Sequence, residues 1–315
     1  MNFLEMASAD SKLLHRWAKD YKAPIAYFEP GYMMYVLGRL AEYKPKAVRG
    51  LSLLIEEAKK YESAGCLMEA HRHIRDLLIE DIKGREAYEQ FLKMDMNKYG
   101  VKNQFSSGKV YHAGNKGKVL VSVDLVSANY QIFKMLGIIR ECDTWKEYVG
   151  KFTDSEYLKE SKYIRQVVMG NCNPKRQTTV EQYYTKQVLD MLLEDVVQEK
   201  DIVAFYHDEV VYATDKVDTN FYNNLTKRVK EKTGLDVDLE VFEVEHVVDD
   251  FAIKHFINKP GYEIMGVPQK KFFQALDYAE NREVDKRDLI FWDDGLPAKF
   301  LKNAYSDIER DSKWK

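Results

Sequence analysis

Two acidic segments, each interrupting a hydrophobic run, constrain this chain more than any other feature. The first is LVSVDLVSANYQIF. Val119, Leu120, Val121 and Val123 form a hydrophobic, largely β-branched stretch suited to a sheet, and it ends at Asp124. The following SANYQIFKMLG places Ala128, Ile132 and Leu136 at four-residue spacing, which predicts a helix with one apolar face. Asp124 therefore falls at a strand-to-helix junction. The second segment is VAFYHDEVVY, where Ile202 through Tyr206 lead into His207, Asp208 and Glu209, and Val210, Val211 and Tyr212 leave it. Strand, tight acidic turn and strand are the expected order, with the carboxylates at an exposed tip.

Carboxylates are hard oxygen ligands, and two-metal phosphoryl transfer uses such ligands on Mg²⁺ ions roughly 3.5–4 Å apart. Asp124 and Asp208 supply them, the backbone carbonyl of Leu125 can add another, and Glu209 is peripheral. Taken singly, each segment also reads as an ordinary acidic turn or a helix preceded by aspartate. Their order, with a basic segment between them, favours the metal reading.

Over residues 118–245 the chain resembles the palm region of single-subunit nucleic-acid polymerases, the superfamily of bacterial-type repair DNA polymerases and phage and mitochondrial RNA polymerases. Asp124 through Phe133 resembles the first metal motif, closer to the RNA-polymerase branch. His207-Asp208 resembles the second, whereas Glu209 is usual in the DNA branch. KYIRQVVMGNCNPKRQ resembles the fingers helix that contacts the incoming nucleotide, with Lys162 and Arg165 on one helical face. The family's Tyr-Gly pair is absent after Met169, where the chain reads Gly170, Asn171, Cys172, Asn173 and Pro174. Tyr183 or Tyr184 is left to supply the aromatic platform.

The resemblance implies an α+β fold, a polymerase-like palm with an antiparallel sheet and flanking helices, preceded by a mainly helical region. It implies a helical thumb-like region over 1–107, a palm over 108–257 with a reduced fingers-like segment at 140–200, and a palm-associated extension over 258–315. The implied activity is metal-dependent transfer of a nucleotide from a nucleoside triphosphate to a nucleic-acid 3′-hydroxyl, in template-directed DNA or RNA synthesis. Mg²⁺ is the implied cofactor, with Mn²⁺ as a substitute, held by Asp124, Leu125 and Asp208. His207 would orient the hairpin or the terminal phosphate, Lys162 and Arg165 would bind the triphosphate, and Tyr130 would touch the sugar. DNA or RNA is the implied partner, alongside accessory replication or transcription proteins. Two other readings stand beside it: a catalytically silent nucleic-acid-binding or assembly protein with a palm-like core, and a template-independent nucleotidyltransferase.

The formal net charge of −3, from 48 Lys and Arg against 51 Asp and Glu, argues weakly against a general cationic coat and permits local basic grooves. One candidate track is the glycine-rich segment NQFSSGKVYHAGNKGKV, where Lys109, Lys116 and Lys118 could meet a phosphate backbone; Lys175 and Arg176 are others. A flexible linker is the plain alternative for that segment. Three widely spaced cysteines with no CxxC pair argue against a disulfide framework or structural zinc. No apolar run approaches membrane-spanning length, and acidic residues stand where a secretory signal has basic ones. A cytoplasmic location is expected, the host-cell cytoplasm for a viral chain.

Residues before 107 show long stretches of helical periodicity. Within them His71, Arg72, His73 and Arg75 read as a solvated basic face with phosphate contact second, because the spacing suits no metal on one helix. His246, Asp249, Asp250 and His255 would gather a metal only across a sharp bend. Phe221–Lys232 predicts an amphipathic helix, VDLEVFEV a strand, and Phe272, Phe273, Leu276 and Tyr278 a packed helix.

Overall fold

In the computed structural model all residues are described except 1, 26–27, 102–104, 106–109, 216–218, 294–295, 311 and 315. The first helices are α1 (Phe3–Ala7), α2 (Ser11–Tyr21), α3 (Pro30–Tyr43), α4 (Pro45–Ala58), α5 (Ala64–Lys83) and α6 (Glu86–Lys93). Then follow α7 (Ala128–Met135), α8 (Trp145–Gly150), α9 (Glu156–Glu160), α10 (Lys162–Gly170), α11 (Pro174–Asp195), α12 (Thr219–Thr233) and α13 (Phe272–Glu280). The strands are β1 (Val119–Leu125), β2 (Ile202–Phe205), β3 (Glu209–Ala213), β4 (Val237–Val248), β5 (Phe251–Phe256), β6 (Tyr262–Met265), β7 (Ile290–Asp293) and β8 (Leu296–Lys299).

Two compact units share the chain. Unit 1 takes Met1–Arg85, Arg140–Cys172 and Pro268–Asp307, and unit 2 takes Glu86–Ile139, Asn173–Val267 and Ile308–Lys315. Each expected sequence range, 1–107, 108–257 and 258–315, thus contributes to both units. Long-range packing draws these divisions, and local composition carries no record of it.

Unit 2 is α+β. Its sheet has the order β2-β3-β1-β4-β5-β6, with every neighbouring pair antiparallel. Alternation along β1 explains its central place. Val121, Val123 and Leu125 join Val210, Tyr212, Leu239 and Val241 in a core that includes Val188, Leu189 and Leu192 of α11 and Leu225 and Val229 of α12. Leu120 turns to the other face, among Val211, Phe242 and Val244. Gly234, at φ +75°, ends α12 with its N–H on the Lys230 carbonyl, which admits the chain to β4.

Gly266 follows β6 with φ +71°, and a methyl group there would overlap the Asp250 carbonyl oxygen. Gly266→Ala is expected to cost at least about 1–3 kcal/mol from the left-handed backbone alone. Denaturant titration checks this, and an unchanged midpoint would contradict the packing at that turn.

Unit 1 combines α1–α5, α8–α10 and α13 with the β7-β8 hairpin. Trp17 is fully buried and donates its Nε1–H to the Ala47 carbonyl at 2.7 Å. Arg39 lies at the centre of a buried network. Its Nη2 reaches Asp277 at 2.8 Å, and its Nη1 reaches Asp288 at 2.8 Å. Tyr35 donates its hydroxyl to Asp288 at 2.7 Å.

His71 overturns its expected solvated face. It is 2% exposed, stacks on Tyr157 and pairs through Nε2 with Glu57 at 3.0 Å. The cause is Glu57, brought by α4 to the apolar face of α5, where His71 stands four residues after buried Leu67. Arg72 and His73 are exposed. Among the described residues no helix is long and apolar enough to cross a membrane.

Candidate functional site

The hydrophobic run that makes β1 a central strand also carries Asp124 to the end of the sheet. Directly opposite it stand Glu209 on β3 and Asp238 on β4, so the register aligns three carboxylate-bearing residues across three neighbouring strands. Asp124 and Asp238 are exposed, and Glu209 is half-buried. Asp208 is the next residue beyond Glu209, at the two-residue tip formed with His207, and both are exposed. The tip is closed by Tyr206 N–H on the Glu209 carbonyl at 2.8 Å.

Leu125 joins the two segments. Its N–H donates to the Asp208 carbonyl at 2.8 Å. Both amide groups of a strand residue face the same neighbour, so the Leu125 carbonyl is also directed to the hairpin side. Asp124, at the end of β1, thus sits one register step from Asp208 in the β2–β3 turn.

Supports come from three elements. On α11, Thr185 donates its hydroxyl to the His207 carbonyl at 2.7 Å, holding the hairpin tip to the helix. At the β1–α7 junction, Ser127 adopts φ +52°, and the Gln131 side chain exchanges hydrogen bonds with the Asp236 backbone at 2.7 and 2.8 Å. The start of β4 is thereby tied to the turn after Asp124. Behind the row, Ser122 donates its hydroxyl to Glu209. Buried Lys254 pairs with Glu240 above the ring of Phe242, and Lys259 also pairs with Glu240.

The electrostatics follow from this crowding. Burial pushes the Glu209 carboxyl up, Ser122 and Lys254 oppose the shift, and the charge of Asp208 adds to it. Glu181, on the face of α11 shared with Thr185, is pushed up to about 7, mainly by burial and secondarily by Asp208. Sequence reading passed over Glu181 and Asp238. The available signals were the polar series Gln177, Glu181 and Thr185 at four-residue spacing, and Asp238 alternating with Val237 and Leu239.

The other expected site residues are distributed differently. Lys162 and Arg165 lie on α10 in unit 1, the first exposed and the second half-buried, whereas the carboxylates belong to unit 2. Tyr130 is 2% exposed within α7, a core position closed to a sugar in this arrangement. Arg176 donates to the carbonyls of Phe91 and Met94 at the end of α6, so its guanidinium ties α11 to α6. Lys175 is exposed at the start of α11. Lys116 and Lys118 are exposed just before β1, with Lys118 bonded to Asn115 at 3.2 Å. Lys109 lies outside the described residues.

Among the described residues no three His, Cys, Asp or Glu side chains are gathered into a group able to hold a metal ion. His246 bonds the Asp249 carbonyl at the β4–β5 turn at 2.9 Å, and His255 on β5 bonds Glu245 on β4 at 2.8 Å, so these histidines serve local contacts. The donors at the end of the sheet are of the hard-oxygen type, exposed carboxylates and a backbone carbonyl. Compared with protein-family models and with curated proteins, the chain matches none.

Proposed function

We propose that this chain is a metal-dependent nucleotidyltransferase that adds a nucleotide from a nucleoside triphosphate to a nucleic-acid 3′-hydroxyl, in template-directed DNA or RNA synthesis. The observation that carries this reading is the pairing of β1 with the β2-β3 hairpin, which sets Asp124 one register step from Asp208 at one end of an antiparallel sheet. A palm-like core would use that arrangement to share ligands. Asp124, Asp208 and the Leu125 carbonyl would hold Mg²⁺, or Mn²⁺ in its place. An ion held there would supply Lewis acidity.

The remaining roles belong to the chain itself. Thr185 and Leu125 bond the His207 and Asp208 carbonyls, which fixes the hairpin backbone that carries the Asp208 side chain. The Ser122 hydroxyl holds Glu209 beside it, and the charge of Lys254 favours its ionised form. His207 would orient the tip or a terminal phosphate. Lys162 and Arg165 would neutralise the triphosphate, and Lys116, Lys118 and Lys175 would meet a nucleic-acid backbone.

The missing Tyr-Gly pair and the engagement of Arg176 with α6 favour one second reading, a silent nucleic-acid-binding or assembly protein with a palm-like core. Extension of paired DNA and RNA primer–templates by the purified protein, with each nucleotide set and Mg²⁺ or Mn²⁺, separates the two. Incorporation is expected, and Arg165→Ala should slow it or raise the nucleotide requirement by about 10- to 100-fold, as for one lost charge-assisted contact. Tight nucleic-acid binding without extension under any condition would support the silent reading.

A further inference from the structure

Unit 1 contains a cavity of about 900 Å³ bordered by α2, the residues that follow it, the approach to α13 and β7. Its lining is chiefly apolar, with Ile25, Phe28, Phe273 and Phe291 among the residues that form it. Phe28 faces the His15 ring, with centroids 4.2 Å apart and planes inclined at 48°. Phe291 lies beneath the Lys270 ammonium, 5.3 Å from the ring centroid.

Lys19, Lys22 and Lys270 also line this cavity, and all three are exposed. None forms an ion pair with any described residue. Asp288 lines it too, but that carboxylate is already engaged by Tyr35 and Arg39 and is shielded from solvent. No carboxylate among the described residues neutralises these three ammonium groups; Lys19 lies 5.6 Å from the Tyr163 ring centroid and Lys270 lies over Phe291, a lining ring.

Each half of this arrangement asks for something different. Uncompensated ammonium groups around a low-dielectric concavity attract an anion. Flat aromatic walls reward a planar ring system, whose stacking is worth more than contact with a flexible chain of equal area. A small inorganic anion leaves the rings uncovered, and a neutral aromatic leaves the lysines uncompensated. A base carrying phosphate satisfies both.

We propose that this cavity binds a nucleoside phosphate, with its base against Phe28 and Phe291 and its phosphate on Lys19, Lys22 and Lys270. The ligand comes either as a free nucleotide or as the unpaired end of a strand. This inference goes beyond the carboxylate site and does not rest on it, because every residue invoked lies in unit 1 and no metal is required.

Titration of the full chain with a fluorescent methylanthraniloyl-ATP in EDTA tests it, since chelation removes any metal-dependent binding at the carboxylates. The same titration in an Asp124→Asn/Asp208→Asn variant should be unchanged. Lys19→Ala/Lys22→Ala/Lys270→Ala is expected to weaken binding by about 10- to 100-fold. Ala18→Phe, which fills the cavity without altering charge, should weaken it comparably, with circular dichroism checking the fold. Displacement of the probe by ATP alone assigns the cavity to free nucleotides, whereas tighter displacement by a 5′-phosphorylated oligothymidylate assigns it to strand ends. The proposal is overturned if the probe does not bind in EDTA, if both folded variants bind it like the parent, or if dodecanoate displaces it and ATP does not.

Discussion

Asp124→Asn and Asp208→Asn are each expected to lower nucleotide incorporation by at least about 10³-fold, or about 4 kcal/mol of barrier, while leaving nucleic-acid affinity within a few-fold of the parent. Asparagine keeps the size and one oxygen of aspartate but removes the negative charge that a divalent ion requires. Neither change disturbs the backbone bond between Leu125 and the Asp208 carbonyl, so the hairpin should stay in place. Asp238→Asn and Glu209→Gln provide graded comparisons, because both positions flank Asp124 without belonging to the proposed ligand set. Single-nucleotide extension and binding titrations at matched salt decide the matter. Near-parental incorporation by either folded aspartate variant would remove that residue from the site.

Arg39→Ala should be the most damaging single change to stability, costing about 3–5 kcal/mol, because it strands Asp277 and Asp288 as buried carboxylates without their cation. Combining Arg39→Met with Asp277→Asn and Asp288→Asn removes both signs of charge and should recover much of that loss. The same cluster predicts a pH effect. Burial, followed by the charge of Asp288, pushes the Asp277 carboxyl up to about 7. Between its ordinary value near 4 and that point, the folded chain holds a proton that the unfolded chain has released. The contribution to stability is therefore greatest at the acidic end of this window and is lost as pH rises through about 7. Asp277→Asn should flatten the dependence. Denaturant midpoints from pH 5 to 8 measure both effects, and an Arg39→Ala loss below about 1 kcal/mol would show the network to be energetically minor.

The carboxylate segments were legible because period and chemistry coincide in them. The β-branched run before Asp124 occupies β1, the SANYQIF stretch forms α7, and the two apolar runs around His207-Asp208 pair as a hairpin. The amphipathic helix before Gly234 and the strand after it are legible for the same reason. His71 was misread because a histidine in a charged run looks solvated until its partner is known, and Glu57 approaches from a different helix.

Local pattern therefore determined the elements and the positions of Asp124 and Asp208 within them: side-chain period and β-branching act over a few residues and leave their mark in the sequence. Only the tertiary structure decided the register that aligns Glu209, Asp124 and Asp238, the approach of Glu181 to Asp208, the capture of Arg176 by α6, and the interleaving of two units along one chain. Those outcomes depend on burial and partner choice between segments far apart in sequence, where the free energy belongs to the contact and no single stretch encodes it.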